Sequence, residues 1–338
     1  MNTMRASGAS NAGIEANATG VPIRTEWLSK RFGKTEALSG VGLEVPEGAI
    51  YALVGANGAG KTTLIKLLMN ILRPTAGSAR VLGMDSQRLR GRDLNRIGYV
   101  SENQEFPEWM TVGGMLAYLR PFYPTWDGAL EGQLVRQFDL PLKRELKQLS
   151  RGQRMKAAMA SALAFRPKLL VLDEPFAGLD PLVRDELMEG LLDRAPETTI
   201  FLSSHDLAEI ESFSSHVGFL EQGRLLFSEE MGVLSERFRE VTVILEDPQA
   251  TPGNLPPSWL QYEATDSMVR FVDSACSAET AAALQAMFPG ARSLSIEAMP
   301  LRAIFLAIAK SRRTGSPHVP NTRDVGHPTG PTGEGRGR

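Results

Sequence analysis

One short segment constrains the fold of this chain more than any other, because its glycines, lysine and threonine follow the spacing of a phosphate-binding P-loop. It consists of Gly55, Ala56, Asn57, Gly58, Ala59, Gly60, Lys61 and Thr62. Residues 50–54 before it form an apolar, β-prone run, and residues 61–72 after it are predicted to be helical. A strand, a glycine-rich loop and a helix in this order predict an α/β fold that binds a polyphosphate at the helix N-terminus.

The residue types in this loop suit that chemistry. Glycine lets backbone N–H groups turn toward phosphate oxygens without obstruction by a Cβ atom. Lys61 supplies a positive charge, the Thr62 hydroxyl can ligate Mg²⁺, and Thr63 can make a further phosphate contact. An ordinary glycine-rich turn is the alternative, but it does not require a lysine and a threonine in register with a strand and a helix.

Two adjacent carboxylates follow a second apolar run, at residues 169–172. In a parallel sheet the carboxyl ends of the strands meet at one edge, so Asp173 and Glu174 are expected beside the glycine-rich loop. There Asp173 can hold Mg²⁺ through its water shell, and Glu174 can polarise the water that attacks a γ-phosphate. Without the loop, a solvated strand end would be the simpler interpretation.

Two further segments are weaker signals taken alone. Ser150 and Gln153 have the spacing of a capping box ahead of a helix-forming run at 154–165, which leaves a second helix N-terminus able to meet an anion. His205 follows a strand-like run at 199–202. By the strand-end argument, His205 is expected to face the same crevice as Asp173.

The composition excludes several classes of protein. The 338 residues include 37 basic and 39 acidic side chains, a formal net charge of -2, so we expect no nucleic-acid partner. The single cysteine, Cys276, fits a reducing compartment. Apolar runs such as 301–309 are about half the length of a membrane span, and the first residues lack the apolar core of a signal peptide, so we expect a cytoplasmic location.

The pattern of elements divides the chain into unequal parts. Strand-like runs alternate with helices in an α/β core, helical spacing dominates about 100–165, and strand and helix patterns resume after 239. Segments rich in small polar residues, glycine and proline lie at both ends. The expected organisation is a disordered leader at 1–22, a nucleotide-binding domain at 23–238 with a helical subdomain at about 100–165, an α+β accessory domain at 239–310, and a disordered tail at 311–338.

Taken together, the order and spacing of these motifs over residues 24–227 resemble the ABC ATPases, whose core is a P-loop NTPase fold. By this resemblance Walker A lies at 55–63, the signature loop at 149–153, Walker B at Asp173 and Glu174, and the D-loop at 178–180. His205 corresponds to the switch histidine that contacts the γ-phosphate. Phe32 resembles the aromatic residue that stacks on adenine, although Phe32 and Trp27 are equally open to a packing role.

Two positions depart from the family pattern. Glu102 stands where glutamine is usual in the Q-loop, with Gln104 as a less well aligned candidate. Glutamate can also ligate Mg²⁺, so Glu102 joins Thr62 and Asp173 in the expected metal site. Arg151 replaces the first glycine of the signature, while Ser150 and Gly152 are retained.

The resemblance implies an ATP-hydrolysing subunit of an ABC transporter, with ATP and Mg²⁺ as cofactors. Lys61, Glu174 and His205 would be catalytic. Ser150, Gly152 and Gln153 would cap the nucleotide of a second ATPase subunit, either an identical copy or a paralogue, in a head-to-tail dimer. Integral membrane permease subunits would bind this dimer, making it peripheral on the cytoplasmic face of the inner membrane.

Segment 105–127 would be the docking surface for the permease, or else its aromatic residues form the core of the helical subdomain. Residues 301–309, followed by basic residues, resemble the closing helix of export-type ABC ATPases for drugs, lipids or polysaccharides, so we expect export. One alternative is a soluble ABC-type ATPase acting on nucleic acid or ribosomes, but the chain lacks a second P-loop and sustained heptads. A nucleotide-binding module without hydrolysis is the other, and Glu174 argues against it.

Overall fold

The computed structural model describes residues 20–246 and 255–313. In chain order its strands are β1 (Ile23–Phe32), β2 (Thr35–Val45), β3 (Ile50–Val54), β4 (Ala76–Val81), β5 (Met84–Asp85), β6 (Ile97–Val100), β7 (Leu169–Asp173), β8 (Thr199–Ser204), β9 (His216–Glu221), β10 (Arg224–Glu230), β11 (Arg239–Leu245), β12 (Trp259–Ala264), β13 (Met268–Asp273) and β14 (Ala291–Ala298). Its α-helices are α1 (Lys61–Leu68), α2 (Gly91–Leu94), α3 (Val112–Leu119), α4 (Gly128–Gln137), α5 (Arg151–Leu163), α6 (Pro181–Leu192), α7 (Leu207–Glu211), α8 (Met231–Arg237), α9 (Thr280–Met287) and α10 (Leu301–Arg313).

A six-stranded sheet forms the centre of the molecule, in the order β10-β9-β3-β8-β7-β6. Strands β9, β3, β8, β7 and β6 are parallel, and β10 pairs antiparallel with β9 at one end. Every residue of β3, β7 and β8 is buried, because helices or a second sheet cover both faces. This confirms the α/β core, and it explains why these strands read as continuous apolar runs.

The second sheet, in the order β2-β1-β4-β5, packs on one face of the central sheet. Its apolar side chains join those of β3 and α1 in one hydrophobic cluster. Helix α1 is shorter than the predicted helix at 61–72. It ends at Leu68 because Asn70 adopts a left-handed φ of 56°, which a continuing helix does not allow.

Between β6 and β7 the chain is helical, as its apolar spacing predicts. Helices α3, α4 and α5 are preceded by the N-cap residues Thr111, Asp127 and Ser150, and the side chain of each accepts a hydrogen bond from a backbone N–H of the first helical turn. Leu134 and Phe138, at helical spacing on and after α4, are buried in the larger hydrophobic cluster of the molecule.

The aromatic residues of segment 105–127 divide between the two expected roles. Tyr123 stacks on Phe165 with ring centroids 4.0 Å apart, and the Trp126 indole donates a hydrogen bond to Glu131. In contrast, Trp109, Tyr118 and Phe122 are exposed. One subset therefore belongs to the packing of the helical region, and the other leaves apolar surface free on the outside of it.

The C-terminal part contains a third sheet, β12-β13-β11-β14, with its own hydrophobic cluster closed by α9. Helix α10 does not cover this cluster. Ile304, Phe305 and Ile308 join the larger cluster, which also contains Leu260 of β12 and Val272 of β13. Phe305 and Phe219 form an edge-to-face pair with ring centroids 4.6 Å apart. The backbone N–H of Leu301 also donates to a carboxylate oxygen of Glu211, at 2.9 Å.

The predicted ends of the chain are described only in part. The disordered tail expected from 311 begins too early, because α10 continues to Arg313. The remainder of that tail, 314–338, and most of the expected leader, 1–19, lie outside the described residues. Within 20–246 and 255–313, no helix is both long enough and apolar enough to cross a bilayer.

Helix α10 offers a direct test of its packing. Ile304 is fully buried and Leu306, two positions later, is 52% exposed. We expect Ile304→Ala to lower the free energy of unfolding by about 2–5 kcal/mol, because it leaves a cavity in the larger cluster. Leu306→Ala is the matched control and should change it by less than about 0.5 kcal/mol. Urea titrations followed by fluorescence measure both, and equal losses would contradict this packing.

Candidate nucleotide-binding site

Three parallel strands bring the site together by ending at the same edge of the central sheet. β3 ends at Val54, directly before the glycine-rich loop, and α1 begins at Lys61 after it. β7 ends at Asp173, which lies in register with Ser203 of β8. The strand-end argument from the sequence therefore places the loop, the two carboxylates and the residues around His205 side by side.

The loop itself has room only for glycine at two positions. A Cβ at Gly55 would lie 2.2 Å from the carbonyl oxygen of Leu220, and one at Gly60 would lie 2.6 Å from that of Ala37. Gly60 also has a φ of 109°, which side chains rarely adopt. A cleft of about 280 Å³ lies over the loop, and its lining residues are Ala37, Asn57, Gly58, Gly60, Lys61, Thr62, Thr63, Glu102 and Glu174.

Lys61 is the positive centre of this cleft. Its Nζ atom donates to the carbonyl oxygen of Gly55 at 2.6 Å and lies 3.0 Å from Oε1 of Glu174. Both side chains are less than a tenth exposed, so water screens this ion pair little. Phosphate oxygens entering the cleft would compete with Glu174 for the same ammonium group.

Asp173 is a buried carboxylate whose partners, in the described part of the chain, are two hydroxyl groups. Oδ1 accepts hydrogen bonds from Ser203 Oγ at 2.8 Å and from Thr62 Oγ1 at 3.0 Å. Burial, and then the charge of Asp173, raise the pKa of Tyr99. A buried negative charge without a cationic side chain is costly, and hydroxyl and carboxylate oxygens are the ligands that Mg²⁺ prefers, so these residues fit a magnesium ion.

Glu174 joins the lysine to the histidine. Its φ is 50°, an uncommon value for a residue other than glycine, and its backbone N–H donates to Ser203 Oγ at 2.9 Å. Oε2 lies 2.7 Å from Nδ1 of His205, whose side chain is 43% exposed. The turn after β7 therefore presents a carboxylate held at both oxygens, between a buried cation and a ring that faces solvent.

The structure separates the two candidates for the Q-loop position. Glu102 lines the cleft. Gln104 is engaged with its own loop, because its Oε1 accepts from both the backbone N–H and the hydroxyl of Ser101 at 3.2 Å. Of the two, only Glu102 has its side chain in a position to meet a metal or phosphate in this cleft.

The signature residues do not line the cleft of their own chain. Ser150 and Gln153 form the capping box that the sequence predicts, with the Gln153 N–H donating to Ser150 Oγ at 3.2 Å. Gly152 is buried against Val183, which would lie 2.9 Å from a Cβ at that position. Ser150, by contrast, is exposed on the surface.

Phe32, the candidate for adenine stacking, and Trp27 are both on the surface, so neither has the core-packing role that the sequence left open. Phe32, at the end of β1, is 47% exposed, with Nζ of Lys30 5.0 Å from its ring centroid. The hairpin partner of β1 is β2, which supplies Ala37 to the cleft. Trp27 is 79% exposed at an irregularity of β1 and lies against Gly40.

Comparison with known proteins gives matches over the part of the chain that contains these site residues. A family profile described as ABC transporter matches residues 38–177, which include the loop and both carboxylates. The bacitracin transport ATP-binding protein BcrA of Enterococcus faecalis is 32% identical over 224 residues, covering 65% of this chain and 73% of that protein. The chain belongs to the ABC transporter ATP-binding proteins.

Two further comparisons agree with this assignment. An uncharacterized ABC transporter ATP-binding protein of Nostoc is 36% identical over 211 residues, and the match spans 60% of this chain and 61% of that protein. A solved structure of an ATP binding subunit of an ABC transporter is 27% identical, with a TM-score of 0.57, and the match covers 62% of this chain and 89% of that one. The expected P-loop NTPase fold of an ABC ATPase is thereby confirmed.

In this ABC protein the structure also brings in residues that the motifs alone did not indicate. Ser203 contacts both carboxylate residues, Asp173 and Glu174. Glu209 accepts a hydrogen bond from Ser204 Oγ and pairs with Arg184 on α6, and burial raises its pKa. The available signal was the register of parallel neighbours, since Ser203 of β8 lies beside Asp173, the last residue of β7.

Ser203 provides a test of how the site is held. We expect Ser203→Ala to lower ATP turnover by about 10–100-fold, because Glu174 loses the acceptor that fixes its backbone and the carboxylates shift. The free energy of unfolding should fall by about 1–3 kcal/mol, since a buried N–H is left unpaired. Ser161→Ala is the control, because that buried hydroxyl donates to a carbonyl oxygen of its own helix, that of Ala158. Unchanged turnover in Ser203→Ala would exclude this positioning role.

Proposed function

We propose that this chain binds Mg-ATP in the cleft over the glycine-rich loop and hydrolyses it to drive a membrane transporter. The contact that carries the proposal is the buried Lys61–Glu174 pair at 3.0 Å, with His205 on the other oxygen of Glu174. A phosphate-binding cation, a carboxylate base and a histidine are thereby aligned at one edge of the sheet. Membership of the ABC family supplies ATP as the ligand.

The metal would be held by Thr62, Asp173 and Glu102. Thr62 and Asp173 already share a hydrogen bond, and Glu102 lines the same cleft. When bound, Mg²⁺ neutralises charge on the phosphate oxygens that develops during phosphoryl transfer. The carboxylate of Asp173, held by two hydroxyls, suits ligation through water, which Mg²⁺ usually retains.

The hydrolytic step would use residues already in contact. Phosphate oxygens replace Glu174 as the partner of the Lys61 ammonium, which frees one oxygen of Glu174 to accept a proton from the attacking water. His205 Nδ1 holds the other oxygen of that carboxylate and lies at the open side of the site. Ser203 Oγ accepts a hydrogen bond from the backbone N–H of Glu174 and donates one to the carboxylate of Asp173, which keeps both residues in place.

A second subunit would complete the site. Ser150, Gly152 and Gln153 stand at the N-terminus of α5, outside the cleft of their own chain, and Ser150 is exposed. A helix N-terminus with an exposed hydroxyl favours an anion, so in a head-to-tail pair each α5 can cap the γ-phosphate held by the other copy. Phe32, exposed near the cleft, would stack on the adenine ring.

Permease subunits would dock on the helical region from the cytoplasmic side. The supporting observation is the exposure of Trp109, Tyr118 and Phe122, which leaves apolar rings on the outside of α3 and its flanking turns. The chain would therefore associate peripherally with the inner membrane. The relative named for bacitracin transport favours export as the direction, and the alternative of an ATPase acting on nucleic acid or ribosomes is not favoured.

Replacing the proposed base tests the reaction. Glu174→Gln should reduce Mg-ATP turnover by at least about 100-fold, since the amide cannot accept the proton. Binding of ATP should persist or tighten, because a negative charge beside the phosphates is removed. Glu189→Gln, an exposed glutamate on α6, is the matched control. A phosphate-release assay and equilibrium ATP titration measure both quantities, and normal turnover by Glu174→Gln would overturn the assignment.

The transporter partner can be tested in the native cell. A tagged chain, extracted from membranes in mild detergent, should co-purify in stoichiometric amount with a multi-spanning membrane protein, as mass spectrometry would show. Replacing Trp109, Tyr118 and Phe122 by serine in one triple variant should abolish this association. ATP binding should stay intact, because the three rings lie outside the cleft. Recovery of only ribosomal or nucleic-acid partners would retain the ATPase and exclude the transporter.

A further inference from the structure

The two departures from the family pattern, Glu102 and Arg151, lie in contact with each other. Nη2 of Arg151 is 3.7 Å from Oε1 of Glu102. We propose that Arg151 is a positioning residue that neutralises Glu102 at the rim of the cleft and releases it when Mg²⁺ arrives with the nucleotide. This inference rests on the proposed ATP site, and it makes the two departures a compensated pair.

The first step is electrostatic. Glu102 lines the same cleft as Lys61 and Glu174. A second carboxylate at the rim would repel the phosphate groups of ATP unless a positive charge lies beside it. Arg151 supplies that charge from the N-terminus of α5. With glutamine at position 102, as is usual in the family, no such charge is needed, and a glycine at 151 suffices.

The second step concerns strength. The side chains of Arg151 and Glu102 are 52% and 42% exposed, so water and salt screen their attraction. Exposed pairs of this kind shift an equilibrium by about fivefold at most. The pair is therefore weak enough for a divalent cation, bound next to Thr62, to replace the guanidinium as the partner of Glu102.

The third step concerns the other neighbour of the guanidinium. It also lies over Gly178, in the turn between β7 and α6, where a Cβ would be 3.2 Å from Nη1 of Arg151. Gly178 has a φ of 67°, so the turn keeps its backbone conformation without a side chain that would push the guanidinium away. Arg151 thus connects three segments: the Glu102 loop, the start of α5 and the turn that precedes α6.

The release of Glu102 would consequently change the contacts of Arg151 at the start of α5 and at this turn. The N-terminus of α5 carries Ser150, which the proposed dimer uses, and the turn leads into α6, which Asp180 caps through its side chain. Arrival of the metal in one cleft then alters the surface offered to the second subunit. The signal passes through one side chain, without movement of the sheet.

A double-mutant cycle tests the pair. The wild-type chain, Glu102→Gln, Arg151→Ala and the double variant are titrated with a fluorescent ATP analogue, first in EDTA and then with Mg²⁺. In EDTA, Arg151→Ala should raise the Kd about 2–5-fold, because Glu102 then faces the phosphates without a countercharge. In the Glu102→Gln background the same substitution should have no more effect than the control. The increase should shrink with Mg²⁺ and with added salt.

The matched control is Arg154→Ala, one turn further along α5. The Arg154 guanidinium donates to the carbonyl oxygen of Lys147. The Arg154→Ala substitution therefore removes the same charge without breaking the ion pair between Arg151 and Glu102. Arg151→Lys, which keeps the charge, should give a Kd between those of wild type and Arg151→Ala, and it also serves if the alanine variant does not fold. Equal effects of Arg151→Ala with and without Glu102, or effects equal to those of Arg154→Ala, would overturn the pair. A wild-type chain that binds no ATP would instead refute the proposed function.

Discussion

The structure depends on a group of buried charges at the carboxyl edge of the central sheet. Lys61, Asp173 and Glu174 are each less than a tenth exposed, so none of them can rely on water for solvation. Lys61 and Glu174 compensate each other, and hydroxyls from Thr62 and Ser203 hold Asp173. A site built in this way is already organised, and ATP with its metal would exchange partners with groups that are in place before they arrive.

Much of this could be predicted from the sequence, because the signals are local. A glycine-rich loop between a strand and a helix has one common structure, and parallel strands bring their ends together whatever lies between them. The rest depends on tertiary contacts. The helix that begins at Lys61 ends at Leu68 because the backbone of Asn70 is left-handed. Tyr123 packs against Phe165, whereas its neighbour Phe122 is exposed. Adjacent aromatic residues look alike in a sequence until packing separates them.

Helix α10 is a second case in which the sequence pattern predicts the element but not its tertiary contacts. Its amphipathic pattern predicts one buried face, but no pattern says which neighbour covers that face. In the structure Phe305 packs on Phe219 and Phe227 of the nucleotide-binding part, and Leu301 is hydrogen-bonded to Glu211 at the end of α7. Because α7 follows His205 directly, the C-terminal part is connected to the segment that holds the histidine. Helix α10 therefore packs the C-terminal part against α7 and against strands β9 and β10.

Departures from a family pattern are easier to interpret when the residues concerned are found together. Taken singly, Glu102 adds a negative charge where phosphates bind, and Arg151 places a large side chain where the family has glycine. Their contact explains why the two departures occur together. The guanidinium offsets the charge of the carboxylate, and the carboxylate orients the guanidinium. Gly178 leaves the space that the guanidinium needs. The local charge balance is thereby restored by a different pair of residues, on segments that the fold already brings side by side.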